Sequence, residues 1–256
     1  YVVSEEIDPA EAILLRSHAL QVSDLKEEVL AVARAGAGVN NIPLEDCSDR
    51  GIVVFNTPGA NANSVKELVL TSLLVSARDV VGGMSYVGSL KGDLNPNELE
   101  ELVEKNKKLF KGYELKGKVL GVIGLGAIGS AVARTGLDMG MTVTGFDPAL
   151  SVEAAWRVPS EVERKNTIED LFADADFISL HVPLLEETRG LVDADILKKA
   201  KPGLVILNFA REPIVDNQAV IKAIQGGVVR KYVSDFPVTE LLNNESVIFT
   251  PHLGAS

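Results

Sequence analysis

Gly124-Leu125-Gly126-Ala127-Ile128-Gly129 stands between an apolar run, Val119 to Ile123, and a segment of helical periodicity, Ile128 to Met139. Three glycines at that spacing between a strand and a helix leave few alternatives. The first permits a tight turn, the second lets the backbone approach a pyrophosphate, and the third lets the helix pack close to the strand. The helix then aims its unsatisfied N–H groups at the phosphates. Glycine-rich turns also occur in unrelated loops, so the flanking residues carry the argument. The next apolar run, Thr142 to Phe146, ends at Asp147, where a carboxylate can accept hydrogen bonds from both ribose hydroxyls of an adenosine. A 2′-phosphate would face that charge, and Pro148-Ala149-Leu150-Ser151 supplies no arginine to relieve it, so the reading is NAD rather than NADP. Hydrogen bonds to a charged group are worth roughly 1.5–3 kcal/mol each, enough to discriminate the two.

Short β-branched runs alternate with helical patterns along the whole chain, which predicts an α/β fold with parallel sheets covered by helices. Two such series divide it into two Rossmann-like, doubly wound lobes, a small one over residues 1–60 and a larger one over 61–256. Strands are expected at Ala12 to Leu15, Val29 to Ala33 and Ile52 to Phe55 in the first. In the second they are expected at Val119 to Ile123, Thr142 to Phe146, Phe177 to His181, Leu204 to Phe209, Lys231 to Asp235 and Val247 to Phe249. A long helix starting at Ser64, with Glu67 at capping-box spacing, joins the lobes, and Asn97 to Lys111 reads as a second helix with acidic start and basic end. Further helices are signalled by Thr167 with Asp170, by Leu191 to Lys199 and by Asp216 to Gly226.

A net charge of -11 argues against nucleic-acid or anionic-membrane partners, so an anionic ligand needs a local basic pocket. Cys47 is the only cysteine, which excludes an internal disulfide and any cysteine-cluster metal site and accords with a cytoplasmic protein. No metal site is expected.

Ligands in open α/β sheets bind at the carboxyl ends of strands. Three ionisable residues follow predicted strands late in the chain: Arg211, Glu240 and His252. A hydroxyl being oxidised needs a base for its proton, and imidazole titrates in the useful range. A carboxylate such as Glu240 would favour the charged imidazolium, and Arg211 offers a planar fork to a substrate carboxylate. Together they describe oxidation of a 2-hydroxy acid.

These residues, with Leu15-Arg16-Ser17, Ala33 to Ile42, Phe55-Asn56-Thr57-Pro58-Gly59, His181-Val182-Pro183-Leu184, Asn208 to Arg211 and Thr250-Pro251-His252, resemble the D-isomer-specific 2-hydroxyacid dehydrogenases over nearly the whole chain. The nearest likeness is to the branch that oxidises 3-phosphoglycerate. The resemblance implies that 1–60 is a partial, flavodoxin-like substrate-binding lobe and 61–256 the NAD-binding domain, in a cytoplasmic homodimer with the Ser64 to Asp79 helix near its interface. It implies a catalytic set of Arg211, Glu240 and His252. Cofactor contacts are implied for Ala37, Gly124, Gly126, Ala127, Ile128, Gly129, Asp147, His181, Val182, Pro183, Phe209, Ala210, Arg211, Asp235, His252 and Gly254. For a phosphorylated substrate it points to Arg16, Arg34, Gly36 and Lys107.

Family members commonly carry glycine after the catalytic arginine, whereas Glu212 and Pro213 follow Arg211 here, an added carboxylate that can pair with Arg211 or face solvent. A lobe near sixty residues buries only about 60% of its unfolded surface, so the intact protein is expected to carry sequence before Ile13 or after Ser256. Two alternatives stay open: a glyoxylate, hydroxypyruvate or D-lactate reductase, and an NAD(H)-sensing corepressor-like module of the same fold.

Overall fold

The computed structural model describes residues 2–5 and 10–254. The chain divides into two compact units, Tyr1–Ala62 and Asn63–Ser256.

In the first unit β1 (Ala12–Leu15), β2 (Ala31–Arg34) and, after the short helix α1 (Leu44–Asp49), β3 (Val53–Phe55) form a parallel sheet in that order. Successive side chains alternate between faces. Ile13, Leu15 and Val32 enter a small core with Leu20, Leu25, Val29, Ile42, Cys47 and Ile52. On the other face Leu14, Val53 and Phe55 are 80%, 52% and 58% exposed. Parallel sheets are ordinarily covered on both faces; this one is clad on one.

The second unit takes in nearly all of α2 (Ala62–Ala77), then α3 (Val80–Gly88) and α4 (Pro96–Asn106). The alternating series follows: β4 (Val119–Ile123), α5 (Ala127–Asp138), β5 (Thr142–Phe146), α6 (Val152–Ala155), β6 (Glu163–Arg164), α7 (Ile168–Asp174) and β7 (Phe177–Leu180). It ends with α8 (Ala194–Leu197), β8 (Leu204–Asn208), α9 (Asn217–Gln225), β9 (Val229–Ser234) and β10 (Val247–Phe249). The seven strands are parallel in the order β10-β9-β8-β7-β4-β5-β6. The chain runs outward from β4 to β6, then returns to β7 on the other side of β4. That reversal opens a crevice beyond the carboxyl ends of β4 and β7, where ligands of such sheets bind.

Two cores sandwich this sheet. Ile178, Leu180, Leu204 and Ile206 meet Leu171 and Phe172 of α7 and Val220 of α9 on one face. Leu120, Val122, Phe177, Val205 and Leu207 meet Val69 and Leu73 of α2 and Val132 of α5 on the other. Every residue of β7 and β8 is buried, as strands covered on both sides require. Arg230 of β9 fastens the end of α2, donating to the Ser76 carbonyl at 2.9 Å and to the Tyr113 hydroxyl.

Most expected elements appear, with instructive exceptions. The Ser64–Glu67 cap does not form: α2 starts at Ala62, whose N–H reaches the Gly59 carbonyl, and Glu67 accepts from Asn63 instead. Asn97 to Lys111 is α4 plus a separate 3-10 turn, and it starts earlier because Asn95 and Glu98 form the capping box. Leu191 to Lys199 shrinks to α8, since Val192 bridges to Val215 and Asp193 caps the helix at Asp195 and Ile196. Val29 belongs to the core but sits in a turn before β2, its N–H on the Lys26 carbonyl. Helix α3 and the two-residue β6 have no counterpart in the sequence reading.

The approach of α5 to β4 is testable. A Cβ at Gly129 would lie 1.8 Å from the Gly124 carbonyl oxygen, whereas one at Gly126 meets nothing within 4 Å. Gly129→Ala should lower stability by about 1–3 kcal/mol in urea unfolding, as overpacking does, and Gly126→Ala by at most about 1 kcal/mol.

Candidate active site

The glycine loop leaves β4 through Gly124, whose φ of 86° belongs to the left-handed region. That conformation and the proximity of the His181 carbonyl, 2.7 Å from any Cβ there, require glycine. Gly126 is the N-cap of α5 and offers no capping side chain. No described acceptor takes the N–H groups of Gly126, Ala127 and Ile128, which lie in the first turn of the helix. Three open amides beside a glycine with space above it fit a pyrophosphate. Asp147 holds the loop from the side, accepting from Leu125 N–H at 2.8 Å and Ala149 N–H at 3.0 Å.

Across the crevice, His181, Val182 and Pro183 follow β7. His181 Nε2 hydrogen-bonds Ser179 Oγ at 2.8 Å, while its buried Nδ1 has no protein partner. Burial alone pushes the imidazole down to about 3, so the ring is neutral at physiological pH.

Beyond β8 the chain turns sharply at Phe209 and Ala210, both buried, into Arg211, which heads a 3-10 turn over Glu212–Ile214. Asn208, wholly buried, brackets the turn: its Oδ1 accepts from Ala210 N–H at 3.2 Å and its Nδ2 donates to the Arg211 carbonyl at 2.9 Å. Arg211 Nη1 donates to the Ala210 carbonyl at 2.6 Å. Glu212, the residue that departs from the family pattern, accepts from Asn217 Nδ2 at 2.6 Å.

Asp235, one residue past β9, is 2% exposed, and its carboxylate organises the histidine turn. It accepts from Thr250 Oγ1 at 2.5 Å, Leu253 N–H at 2.7 Å and Gly254 N–H at 2.7 Å, and its carbonyl accepts from His252 N–H at 3.1 Å. Within that turn His252 adopts φ 55°, a left-handed conformation uncommon for a residue with a side chain. The turn's hydrogen bonds sustain it. The ring of Phe236 stands edge-on to the imidazole with centroids 5.1 Å apart. Glu240 is exposed on a 3-10 turn, Thr239–Leu241, that is anchored by buried Leu241, and no described hydrogen bond or ion pair joins it to His252. Arg211, Asp235 and His252 thus stand past the ends of three adjacent strands, β8, β9 and β10.

In the first unit, Arg34 turns inward: its Nε donates to the Arg16 carbonyl at 3.1 Å and its Nη1 to the Gly38 carbonyl. A Cβ at Gly36 would lie 2.6 Å from that Nη1, so a side chain there would have to displace the guanidinium. Ala37 is anchored through its carbonyl, which accepts from Asn56 Nδ2 at 2.7 Å. Arg16 is exposed at the end of β1. Lys107, in the second unit, pairs with Glu104 and borders an apolar groove of about 690 Å³ with Val80, Met84, Val87 and Phe110. Asn208 and Thr250 stood in stretches that carry the family resemblance but received no role from the sequence. Asn208, the polar terminus of an otherwise apolar strand, was the one available signal. No group of three His, Cys, Asp or Glu side chains among the described residues is placed to hold a metal ion.

A model of the D-isomer specific 2-hydroxyacid dehydrogenase NAD binding domain matches residues 93–254. The chain is 36% identical to D-3-phosphoglycerate dehydrogenase of Methanocaldococcus jannaschii, over 98% of this chain and 47% of that protein. It is 35% identical to hydroxypyruvate reductase of Thermotoga maritima, over 98% and 79% respectively. NAD+-bound 3-phosphoglycerate dehydrogenase of Entamoeba histolytica superposes with a TM-score of 0.74 at 31% identity, over 97% of this chain and 73% of that one. The chain therefore belongs to the D-isomer-specific 2-hydroxyacid dehydrogenase family, and residues 93–254 match its NAD-binding domain. It spans about half the length of the phosphoglycerate dehydrogenases it matches among curated relatives.

The neutral His181 has a thermodynamic signature. Unfolded, it titrates near 6.5, and folded near 3. Between those values the unfolded chain binds a proton that the folded one refuses, so stability falls by up to about 1.4 kcal/mol for each unit by which the pH is lowered. His181→Gln should lose about 2 kcal/mol less than the wild type between about pH 7 and about pH 5 in denaturant titrations. An unchanged pH dependence would mean that the imidazole is solvated.

Proposed function

We propose that the protein oxidises D-3-phosphoglycerate at its 2-hydroxyl with NAD, giving 3-phosphohydroxypyruvate and opening serine biosynthesis. The observation that carries the reading is the placement of Arg211 beyond β8 and of His252, in its Asp235-held turn, beyond β10, on the same edge of one sheet as the open amides of the glycine loop. When bound, NAD supplies the hydride acceptor. The pyrophosphate would lie against Gly126, Ala127 and Ile128, the adenosine ribose at Asp147, and the nicotinamide side near Val182, Phe209, Ala210 and Gly254. His252 takes the hydroxyl proton as C2 becomes a carbonyl and returns it in reduction. Arg211 presents its fork to the carboxylate and fixes C2. Glu240 acts on the imidazole only if its exposed turn carries it there.

Phosphoglycerate is favoured over unphosphorylated acids by Arg16 and Arg34. The two described bonds of Arg34 use two of five guanidinium donors, so the residue can order its loop and still present N–H groups to a phosphate. The similarity to both a phosphoglycerate dehydrogenase and a hydroxypyruvate reductase makes the substrate panel the decisive assay. A cytoplasmic setting accords with a single cysteine, Cys47, buried and unpaired.

With the full-length protein, NADH oxidation should be fastest on 3-phosphohydroxypyruvate among that acid, hydroxypyruvate, glyoxylate and pyruvate. His252→Asn should lower kcat by roughly 10²–10⁴-fold while NADH affinity holds. Arg34→Ala should raise KM chiefly for the phosphorylated acid; equal effects on every acid would reject its phosphate role. Absence of turnover on all four, with NADH still bound, would favour a nicotinamide-sensing module.

A homodimer is part of the same reading. No residue of α3 is buried, and Val80, Val81, Met84 and Val87 are 48%, 56%, 71% and 54% exposed, an apolar face beyond the end of α2 that a second copy would cover. Met84→Lys should shift the protein towards monomer in light scattering after size exclusion.

A further inference from the structure

The arginine turn and the histidine turn are linked beneath the site by a buried chain of polar groups that neither turn's sequence announces. Asn208 Nδ2, which donates to the Arg211 carbonyl, also donates to the Tyr232 hydroxyl at 3.4 Å. Ser234, two residues further along the same face of β9, also acts on the Tyr232 hydroxyl and, like Asn208, counters the effect of burial on it. Ser234 Oγ accepts from Phe236 N–H at 3.1 Å, and the Phe236 ring stands against His252. Asn208, Tyr232 and Ser234 are 0%, 1% and 0% exposed, so no water competes for these bonds.

Position explains how the link arises. Asn208 and Ser234 are paired residues at the tips of β8 and β9, and Tyr232 stands two residues back on the same face of β9. Its ring packs edge-on to Phe249 of β10, centroids 6.4 Å apart, three residues before His252. The phenol therefore touches the framework of both turns: its hydroxyl through Asn208 to the arginine side, its ring through β10 to the histidine side. Glu212, next to Arg211, acts electrostatically on that hydroxyl and favours its protonated, neutral form, as burial does more strongly.

We propose that Tyr232 is a positioning residue for the reaction, its hydroxyl locking the turn that carries Arg211 in register with the turn that carries His252. This rests on the functional reading of those two residues given above. A mobile arginine turn would hold the substrate carboxylate without aligning C2, so the hydroxyl should matter to turnover and to substrate KM while leaving the dinucleotide loop alone. The bond network is buried and satisfied, the condition under which polar groups specify one geometry.

The test is Tyr232→Phe in the full-length protein, which keeps the ring and its packing on Phe249. Expected are a fall in kcat of about tenfold, a rise of several-fold in KM for the 2-keto acid, and an NADH dissociation constant within twofold of wild type. Ser234→Ala, which removes the oxygen that accepts from Phe236 N–H, should give a smaller loss in the same direction, and the double variant should be no worse than Tyr232→Phe alone. Arg230→Met, which weakens the α2 anchor elsewhere on β9, supplies a control with lowered melting temperature and unaltered kcat. Wild-type turnover with Tyr232→Phe kinetics unchanged, or strictly multiplicative losses in the double variant, would overturn the positioning role while leaving the function intact. No turnover by the wild type on any 2-keto acid would remove both.

Discussion

The contact on which this site depends is the one between Gly129 and the Gly124 carbonyl oxygen, where no side chain fits. It draws the first turn of α5 down over the end of β4, the strand at which the sheet reverses its order. Everything an anion would meet there follows from that closeness. The helix amides of Gly126, Ala127 and Ile128 are left without acceptors because the chain enters the helix directly from the glycine turn, with no polar side chain to cap it. An added methyl group would lift the helix and move the amides away from the crevice. The same economy governs His181, whose carbonyl crowds Gly124 while its half-buried, neutral ring stands on the opposite side.

Two carboxylates then impose order at the two ends of the crevice by the same means. Asp147 ties its own turn to the glycine loop, and Asp235 ties its strand to the turn after β10. Removing a carboxylate from water costs several kcal/mol unless its lone pairs are met. Asp235 receives three hydrogen bonds from groups spread over five residues, so the favourable way to bury it is to fold the turn. The left-handed backbone of His252 follows: the turn bonds to Asp235 on both sides of it, and the histidine adopts what the geometry leaves.

Local signals were legible in the sequence, and long-range ones were not. Asp216 and Thr167 cap α9 and α7 because capping needs only residues two or three apart, and the strands β4, β5 and β10 match their apolar runs residue for residue. Helix α3 went unread because its apolar residues Val80, Val81, Met84 and Val87 face outward, so no polar stripe marks a period. The holding role of Asp235 depends on partners 15 to 19 positions away. Arg34 looks like a free cation in the sequence, yet it bends back on two carbonyls, one of them 18 residues upstream. The candidate residues themselves were read from motifs; the bonds by which Asp147 and Asp235 hold the loops were not, because they join the ends of different strands.

Charge completes the logic of the site. With a net charge of -11 the chain as a whole repels an anionic substrate, so binding has to come from fixed local donors whose orientation is already set. A guanidinium on a loose loop would lose much of its attraction in reordering. Here Arg211 heads a turn bracketed by the buried amide of Asn208. Glu212 would compete for Arg211 if its carboxylate were free to swing, but Asn217, the first residue of α9, donates to it from the neighbouring helix. The substitution that departs from the family's glycine is thus accompanied by an amide that holds the added charge in place, which lets an acidic residue stand next to the arginine assigned to the substrate carboxylate.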